Sequence, residues 1–300
     1  MKSFNNKVAA ITGAASGIGR ALALELAKQH CHLALSDVDD AGLAETAKQA
    51  SALGVKVTTA KVNVADRDAV HAWADQVVHD HGKVNMVYNN AGVALGGTVE
   101  DTDYSDYEWI VGINMWGVVY GTKAFLPYIK QAGEEGHIVN ISSIFGLFAQ
   151  PTQSGYNMSK FAVRGFTESL RQELDLEGGK VSCTCVHPGG IKTNIARNAR
   201  MSNSVEKLTG SASAEKMRDQ FEALFLTTSE KAAQVILGAV KANIGHLEAG
   251  AGMAGLVKAM MVLQHEKATS NPELRTLNQK ISAVVDQTGF AVHFPTESES

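Results

Sequence analysis

The sequence predicts an α/β fold, a doubly wound parallel sheet with helices on both faces, and two observations lead there. From the start to about residue 240, short apolar, β-branched runs alternate with longer segments of 3.6-residue period. The first run also passes directly into a glycine-rich turn that opens a helix. Crossovers between parallel strands are right-handed, which restricts how such a sheet can wind. Strands are expected near 7–12 (KVAAIT), 32–37 (HLALSD), 55–62, 84–88, 137–142 (HIVNIS) and 181–186 (VSCTCV). Helices are expected near 17–29, 40–53, 66–80, 104–130, 154–177 and 229–242, where apolar spacing combines with Ala, Leu, Glu, Lys and Gln. Residues 194–226 carry no strand pattern; following a strand's carboxyl end, they are expected to form a lid over a site.

Composition narrows the class of function. The chain has 300 residues, 45% hydrophobic and 19% charged, enough to bury a large core. A net charge of -4 with no Lys/Arg block points away from nucleic acid and from a polybasic membrane patch, so small-molecule chemistry is expected. No run of about 18 apolar residues occurs, so no membrane span is expected. The amino terminus lacks the pattern of a signal peptide. Three cysteines, two of them in the VSCTCV strand, are read as thiols of a reducing cytoplasm. No metal site is expected.

The turn is Thr12-Gly13-Ala14-Ala15-Ser16-Gly17-Ile18-Gly19. Its glycines let the backbone turn tightly and approach a pyrophosphate, while the helix start offers N–H groups and a positive dipole. Gly13, Ser16, Gly17, Ile18 and Gly19 are therefore candidate phosphate-binding residues. Asp37 ends the second strand, 18 residues after Gly19, where a carboxylate can accept from ribose hydroxyls and would repel a 2′-phosphate. With no Arg or Lys at Ser16 or Val38, NAD is expected rather than NADP. The other reading of Asp37 is a helix cap, a place Asp39 could fill equally well.

Tyr156 and Lys160 lie four apart, on one face of the expected helix and one turn from each other. A tyrosine hydroxyl has a solution pKa of about 10, and a neighbouring ammonium favours its ionised form. Tyr156 can then exchange a proton with a substrate oxygen, and Ser143, 13 residues earlier, can hold that oxygen.

In this order the pieces resemble the short-chain dehydrogenase/reductase family in its single-domain, Rossmann-type branch. The matching pieces are Thr12 to Gly19, Asn89-Asn90-Ala91-Gly92, Asn114, Ser143, Tyr156 with Lys160, and Pro188-Gly189 with Thr193. The resemblance covers about four-fifths of the chain. It implies that Asn114, Ser143, Tyr156 and Lys160 are catalytic, with Asn114 fixing a water that links Lys160 to solvent. It implies that Asn90, Ala91 and Gly92 border the adenosine side and that Asn63 and Val64 meet the adenine ring, Asn63 standing where relatives often carry Asp. It also implies that Lys160 bonds the nicotinamide ribose, that Ile191 and Thr193 hold the carboxamide, and that the helices near 104–130 and 154–177 pair subunits into a homodimer or homotetramer. His187, beside Pro188, is assigned no role.

The implied activity is hydride transfer between NAD(H) and a secondary alcohol or ketone. The IFGLF stretch and the mixed segment at 191–200 suggest a hydrophobic substrate. Two rival readings are a non-catalytic NAD-binding or scaffold protein and a ketoreductase acting on acyl chains.

Near residue 241 the chain changes character, and residues 1–240 are read as the dehydrogenase domain. Lys241-Ala242-Asn243-Ile244-Gly245-His246 and the following Gly/Ala-rich stretch resemble part of a β-ketoacyl synthase of polyketide or fatty-acid type. Neither the nucleophile segment nor the Gly-Thr-Gly segment of such synthases occurs, so 241–300 is read as an atypical tail rather than an independent catalytic domain. The strand that usually follows the 229–242 helix in the dehydrogenases is not visible, and an apolar helix is expected at Met253–His265.

Overall fold

A computed structural model describes residues 1–202, 204–205 and 225–243, with the backbone of 246–247. The chain divides into two units, Met1–Ala254 and Gly255–Ser300, and every described residue belongs to the first. The expected apolar helix at Met253–His265 lies outside the described residues.

The strands β1 (Val8–Thr12), β2 (His32–Asp37), β3 (Val57–Lys61) and β4 (Met86–Asn89) alternate with α1 (Gly17–Ala27), α2 (Asp40–Ser51) and α3 (Arg67–His81). A two-residue strand, β5 (Leu95–Gly96), precedes α4 (Tyr104–Val111) and α5 (Gly117–Gln131). Then come β6 (Gly136–Ile141), α6 (Ser154–Glu177), β7 (Val181–Val186), β8 (Arg200–Met201), α7 (Ser229–Ala242) and β9 (His246–Leu247). Seven strands form one sheet in the order β3-β2-β1-β4-β6-β7-β9, every neighbouring pair parallel.

Alternation along each strand divides the core in two. In β1, Ala9 and Ile11 join Leu22 and Leu26 of α1 and Ile236, Leu237 and Val240 of α7. Val8 and Ala10 face Val70, Trp73 and Val77 of α3, Phe125 and Ile129 of α5, and Leu170 and Leu174 of α6. With helices on both faces β1 is buried throughout, which is why its sequence is a continuous apolar run. Helix starts are marked by side chains: Asp66 accepts from Ala69 N at 3.0 Å for α3, and Thr228 from Lys231 N at 3.2 Å for α7.

Three expectations are corrected. The helix expected over 104–130 is interrupted by a π-helical turn at Gly112–Trp116. The final strand does exist: β9 pairs with Cys185 and Val186 of β7. It is only two residues long, too short for a periodic apolar run to announce it. Within the lid segment, β8 pairs in parallel with β5, and the remainder, residues 203 and 206–224, lies outside the described residues.

His137, 1% exposed on β6, sets a pH limit on this core. Burial, then the amino terminus and Arg171, push its pKa from 6.5 down to about 3, and its Nε2 lies 2.8 Å from Thr184 Oγ1. Below pH 6.5 the unfolded chain binds the proton that the folded chain refuses. The contribution is thus complete above 6.5 and is lost as pH falls toward 3, at about 1.4 kcal/mol per pH unit. Urea unfolding at pH 6.5 and 5 should show wild type losing about 2 kcal/mol more than His137→Gln over that interval.

Candidate active site

The strand order reverses between β1 and β4, so a crevice opens beyond their carboxyl ends. The loops there are tied together. Thr12 Oγ1 accepts from Asn90 N and Ala91 N, each at 3.0 Å, and Asn90 Nδ2 donates to Thr12 O at 3.0 Å and Gly13 O at 3.1 Å. The turn itself requires glycine: Gly13 has φ +65°, and a Cβ on Gly19 would stand 2.0 Å from Gly13 O. Ser16 gives α1 no side-chain cap, and its first turn holds no acidic residue, so its leading N–H groups suit an anion. Ile18 packs against the core below.

Asp37 accepts from Ala15 N at 2.9 Å through Oδ2, and from Val38 N at 2.7 Å and Asp39 N at 3.0 Å through Oδ1. The cap of α2 is Asp39, which accepts from Gly42 N at 3.1 Å. Asp37 is therefore a strand-end carboxylate that braces the glycine turn. Arg20 directs its guanidinium to Ala15 O, Gly42 O and Thr46 Oγ1. Thr193 comes back to the same loop, its Cγ2 3.1 Å from the place a Cβ on Gly17 would occupy. Asn63 Oδ1 accepts from Ala65 N at 3.1 Å, and Val64 is buried. Pro188 O accepts from Ile144 N at 3.0 Å, and past Gly189 the chain reaches Ile191, which forms a parallel bridge to Thr227.

Tyr156 and Lys160 share one face of α6. Lys160, 3% exposed, places Nζ 5.6 Å from the centre of the Tyr156 ring and donates to Ile141 O at 3.0 Å. Ser143 lies two residues past β6, not within it. Its extended backbone (φ -165°) caps a 3₁₀ turn at Ile144–Gly146, and its Oγ accepts from Phe145 N at 3.1 Å. The same hydroxyl faces the Tyr156 phenol closely enough to lower it.

Burial pushes the Tyr156 phenol above its ordinary value, and Ser143 pulls it back only in part. Burial likewise lowers Lys160 to about 8. The expected lowering of Tyr156 by Lys160 is thus not found in the protein alone, where burial sets the phenol and only Ser143 opposes it.

Asn114 belongs to the π-helical turn and is fully buried. Its Nδ2 donates to Val93 O at 3.0 Å and Ser159 Oγ at 3.1 Å, and its Oδ1 accepts from Val93 N at 2.8 Å. A Cβ on Gly92 would lie 3.3 Å from Asn114 Oδ1 and 3.5 Å from Lys160 Nζ, so this glycine is the common neighbour of both groups.

Sequence reasoning missed several contributors. Thr12, whose hydroxyl joins two loops, could have been suspected from its place before Gly13. Arg200 stacks 3.7 Å over the Trp109 ring and pairs with Asp106 at 2.8 Å, holding β8 to α4; no local pattern announces it. Lys241, singled out for its synthase-like context, donates to Gln29 at 2.6 Å and lies 5.2 Å from the Phe4 ring. Of His246 only the backbone is described.

A doubly wound sheet whose crevice gathers a glycine turn, a buried lysine and a tyrosine one helical turn from it defines an oxidoreductase. The family model for short chain dehydrogenases matches residues 7–204, and the chain belongs to that family. A putative oxidoreductase, SadH, from Mycobacterium tuberculosis is 56% identical over 209 residues, covering 70% of this chain and 75% of that protein. The 3-oxoacyl-[acyl-carrier-protein] reductase FabG of Thermotoga maritima is 35% identical over 188 residues, 62% of this chain and 75% of its own. A short-chain dehydrogenase/reductase from Burkholderia phymatum, solved in complex with NAD, superposes with a TM-score of 0.79 at 31% identity, covering 91% of this chain and 99% of that one. The model of the β-ketoacyl synthase C-terminal domain matches residues 189–275, overlapping the dehydrogenase match.

Proposed function

We propose that the protein transfers a hydride reversibly between NAD(H) and a hydrophobic secondary alcohol or its ketone. The observation that carries this reading is buried Lys160 set 5.6 Å from the Tyr156 ring, with Ser143 facing the phenol, beside Gly92 in the same crevice as the glycine turn. The turn and the uncapped start of α1 fit a dinucleotide. Gly13, Ser16, Gly17, Ile18 and Gly19 would hold its phosphates, Asp37 its adenosine ribose, and Asn63 and Val64 its adenine. Asn90, Ala91 and Gly92 would border the adenosine side; Tyr156, Lys160, Pro188, Gly189, Ile191 and Thr193 would hold the nicotinamide end. When bound, the cofactor supplies a hydride acceptor or donor.

The protein's own groups handle the proton. Ser143 Oγ orients the substrate oxygen, and Tyr156 Oη gives it a proton in reduction or takes one in oxidation. Lys160 stabilises the phenolate by its charge, and Asn114 completes the proton relay to solvent. Phe145 packs edge-on against Tyr156 at 6.2 Å and Phe148 at 5.4 Å, which favours an apolar substrate.

Screening secondary alcohols with NAD for reduced-nicotinamide absorbance tests this. Turnover that vanishes in Tyr156→Phe supports it, whereas tight NAD binding without turnover of any alcohol favours the scaffold reading. The synthase-like match favours one further reading, a ketoreductase of acyl chains, which faster reduction with NADPH than NADH would support.

Asp37 underlies the NAD preference. Three backbone N–H groups occupy three of its roughly four lone-pair sites, leaving one for a ribose hydroxyl. Asp37→Asn, which keeps an acceptor but removes the charge, should raise the NADPH-to-NADH ratio of kcat/KM about 10-fold.

Trp116, Met158 and Phe161 are 44%, 49% and 41% exposed on the segments expected to pair subunits, which supports a homodimer or homotetramer; a monomeric mass in sedimentation would remove that assignment. Buried thiols at Cys31, Cys183 and Cys185 fit a reducing cytoplasm. Among the described residues no helix is long and apolar enough to cross a membrane. We retain residues 1–240 as the dehydrogenase domain and 241–300 as its atypical tail.

A further inference from the structure

Strands β6 and β7 stay in register up to Ile141 and Val186, and the ladder goes one step further, Ser142 N donating to Val186 O at 2.8 Å. In the same register Ile144 N donates to Pro188 O at 3.0 Å, but the reciprocal bond to Ser142 O would require an N–H from residue 188, and Pro188 has none. One residue further on, a side chain supplies a donor to the next carbonyl. His187, 2% exposed, holds Nδ1 3.0 Å from Ser143 O, which also accepts from Gly146 N at 2.8 Å. Because a carbonyl only accepts, Nδ1 must carry the proton, and this selects the tautomer. Ser143 lies between the Ser142 N and Ile144 N bonds to Val186 O and Pro188 O, which hold the backbone on either side of it. Its own carbonyl is held by His187 and Gly146, while its hydroxyl accepts from Phe145 N and faces the Tyr156 phenol, which it lowers.

From this geometry we infer that His187 is a positioning residue: its Nδ1–H anchors the Ser143 carbonyl so that the Ser143 hydroxyl meets Tyr156. The inference rests on the proposed roles of Ser143 and Tyr156, and His187 acts only through Ser143. Releasing one of the two carbonyl anchors lets the hydroxyl drift by a fraction of an ångström, a displacement that costs on the order of 10-fold in rate at a preorganised site.

His187→Leu removes the donor, and His187→Asn restores it, because an asparagine Nδ2 lies close to where the imidazole Nδ1 was. The first readout needs no substrate: the tyrosine ¹³Cζ resonance of Tyr156, assigned by its loss in Tyr156→Phe, with Ser143→Ala marking its position when the serine hydroxyl is gone. His187→Leu should move this resonance toward the Ser143→Ala position, His187→Asn should return it, and adding His187→Leu to Ser143→Ala should move it no further. The second readout is NAD-dependent oxidation of 1-phenylethanol. Here His187→Leu should lower kcat about 10-fold with KM for NAD within about 2-fold of wild type, and its effect should vanish in the Ser143→Ala background. If His187→Leu does not fold, His187→Gln, whose amide donor lies one bond further out, is expected to give the same result. A wild-type resonance in the variant, or an effect undiminished in the Ser143→Ala background, would overturn the inference. Absence of turnover by the wild type with every alcohol would instead refute the proposed function, while the resonance still decides the role of His187.

Discussion

Replacing Tyr156 with Phe should lower kcat/KM about 1,000-fold, the middle of the range for removing a general acid–base group, with the Kd for NADH changed less than about 3-fold. The hydroxyl is the only part removed, and the ring still packs against Phe145. Stopped-flow kinetics beside NADH fluorescence titration would separate the two quantities. The pH profile should agree. Alcohol oxidation needs the phenolate, and burial holds Tyr156 above its ordinary value, so kcat/KM for oxidation should climb with pH through and beyond neutrality. Ser143→Ala removes a group that pulls the phenol down, so it should carry the rising limb to higher pH as well as lowering the rate.

The second large effect is expected at Gly19. A Cβ there would meet Gly13 O at 2.0 Å and Asn90 Nδ2 at 2.6 Å. Neither neighbour can yield freely: Gly13 has a left-handed backbone, and Asn90 Nδ2 is bonded to Thr12 O and Gly13 O. Gly19→Ala must therefore displace the turn itself. NADH affinity should fall by about 100-fold or more and stability by about 1–3 kcal/mol. Titration of NADH fluorescence and urea unfolding would check the pair. An alanine variant with wild-type affinity would mean that the turn does not cradle the cofactor.

The parts legible in the sequence are those that local spacing encodes. The long inner strands announce themselves because burial on both faces favours apolar runs, the edge strand β3 by its β-branched residues, and the helices because burial of one stripe requires a 3.6-residue period. The glycine turn was legible for a related reason, since the backbone geometry needed at Gly13 restricts residue type at the position itself. By contrast, β5, β8 and β9 are two residues each and exist only because another strand edge offers its N–H and C=O groups. The π-helical turn around Asn114 was equally hidden: its sequence continues the helical period, and only the packed structure shows the extra residue in the turn.

Within the candidate site the same division holds. Tyr156 and Lys160 were paired by their four-residue spacing, which any helix converts into a shared face. Thr12 meets Asn90 across 78 residues of chain and Ser143 meets His187 across 44, and no local pattern records such meetings. Nor could sequence spacing predict that burial, rather than the lysine, would set the Tyr156 phenol, since solvation depends on everything packed around it. By itself the sequence determined the fold class, the order of the long elements and the residue types at the crevice, because each follows from interactions within one turn or one pleat. The tertiary structure alone decided which loops are tied together, how the last strand closes the sheet and how the serine hydroxyl is aimed, because those depend on groups that only folding makes neighbours.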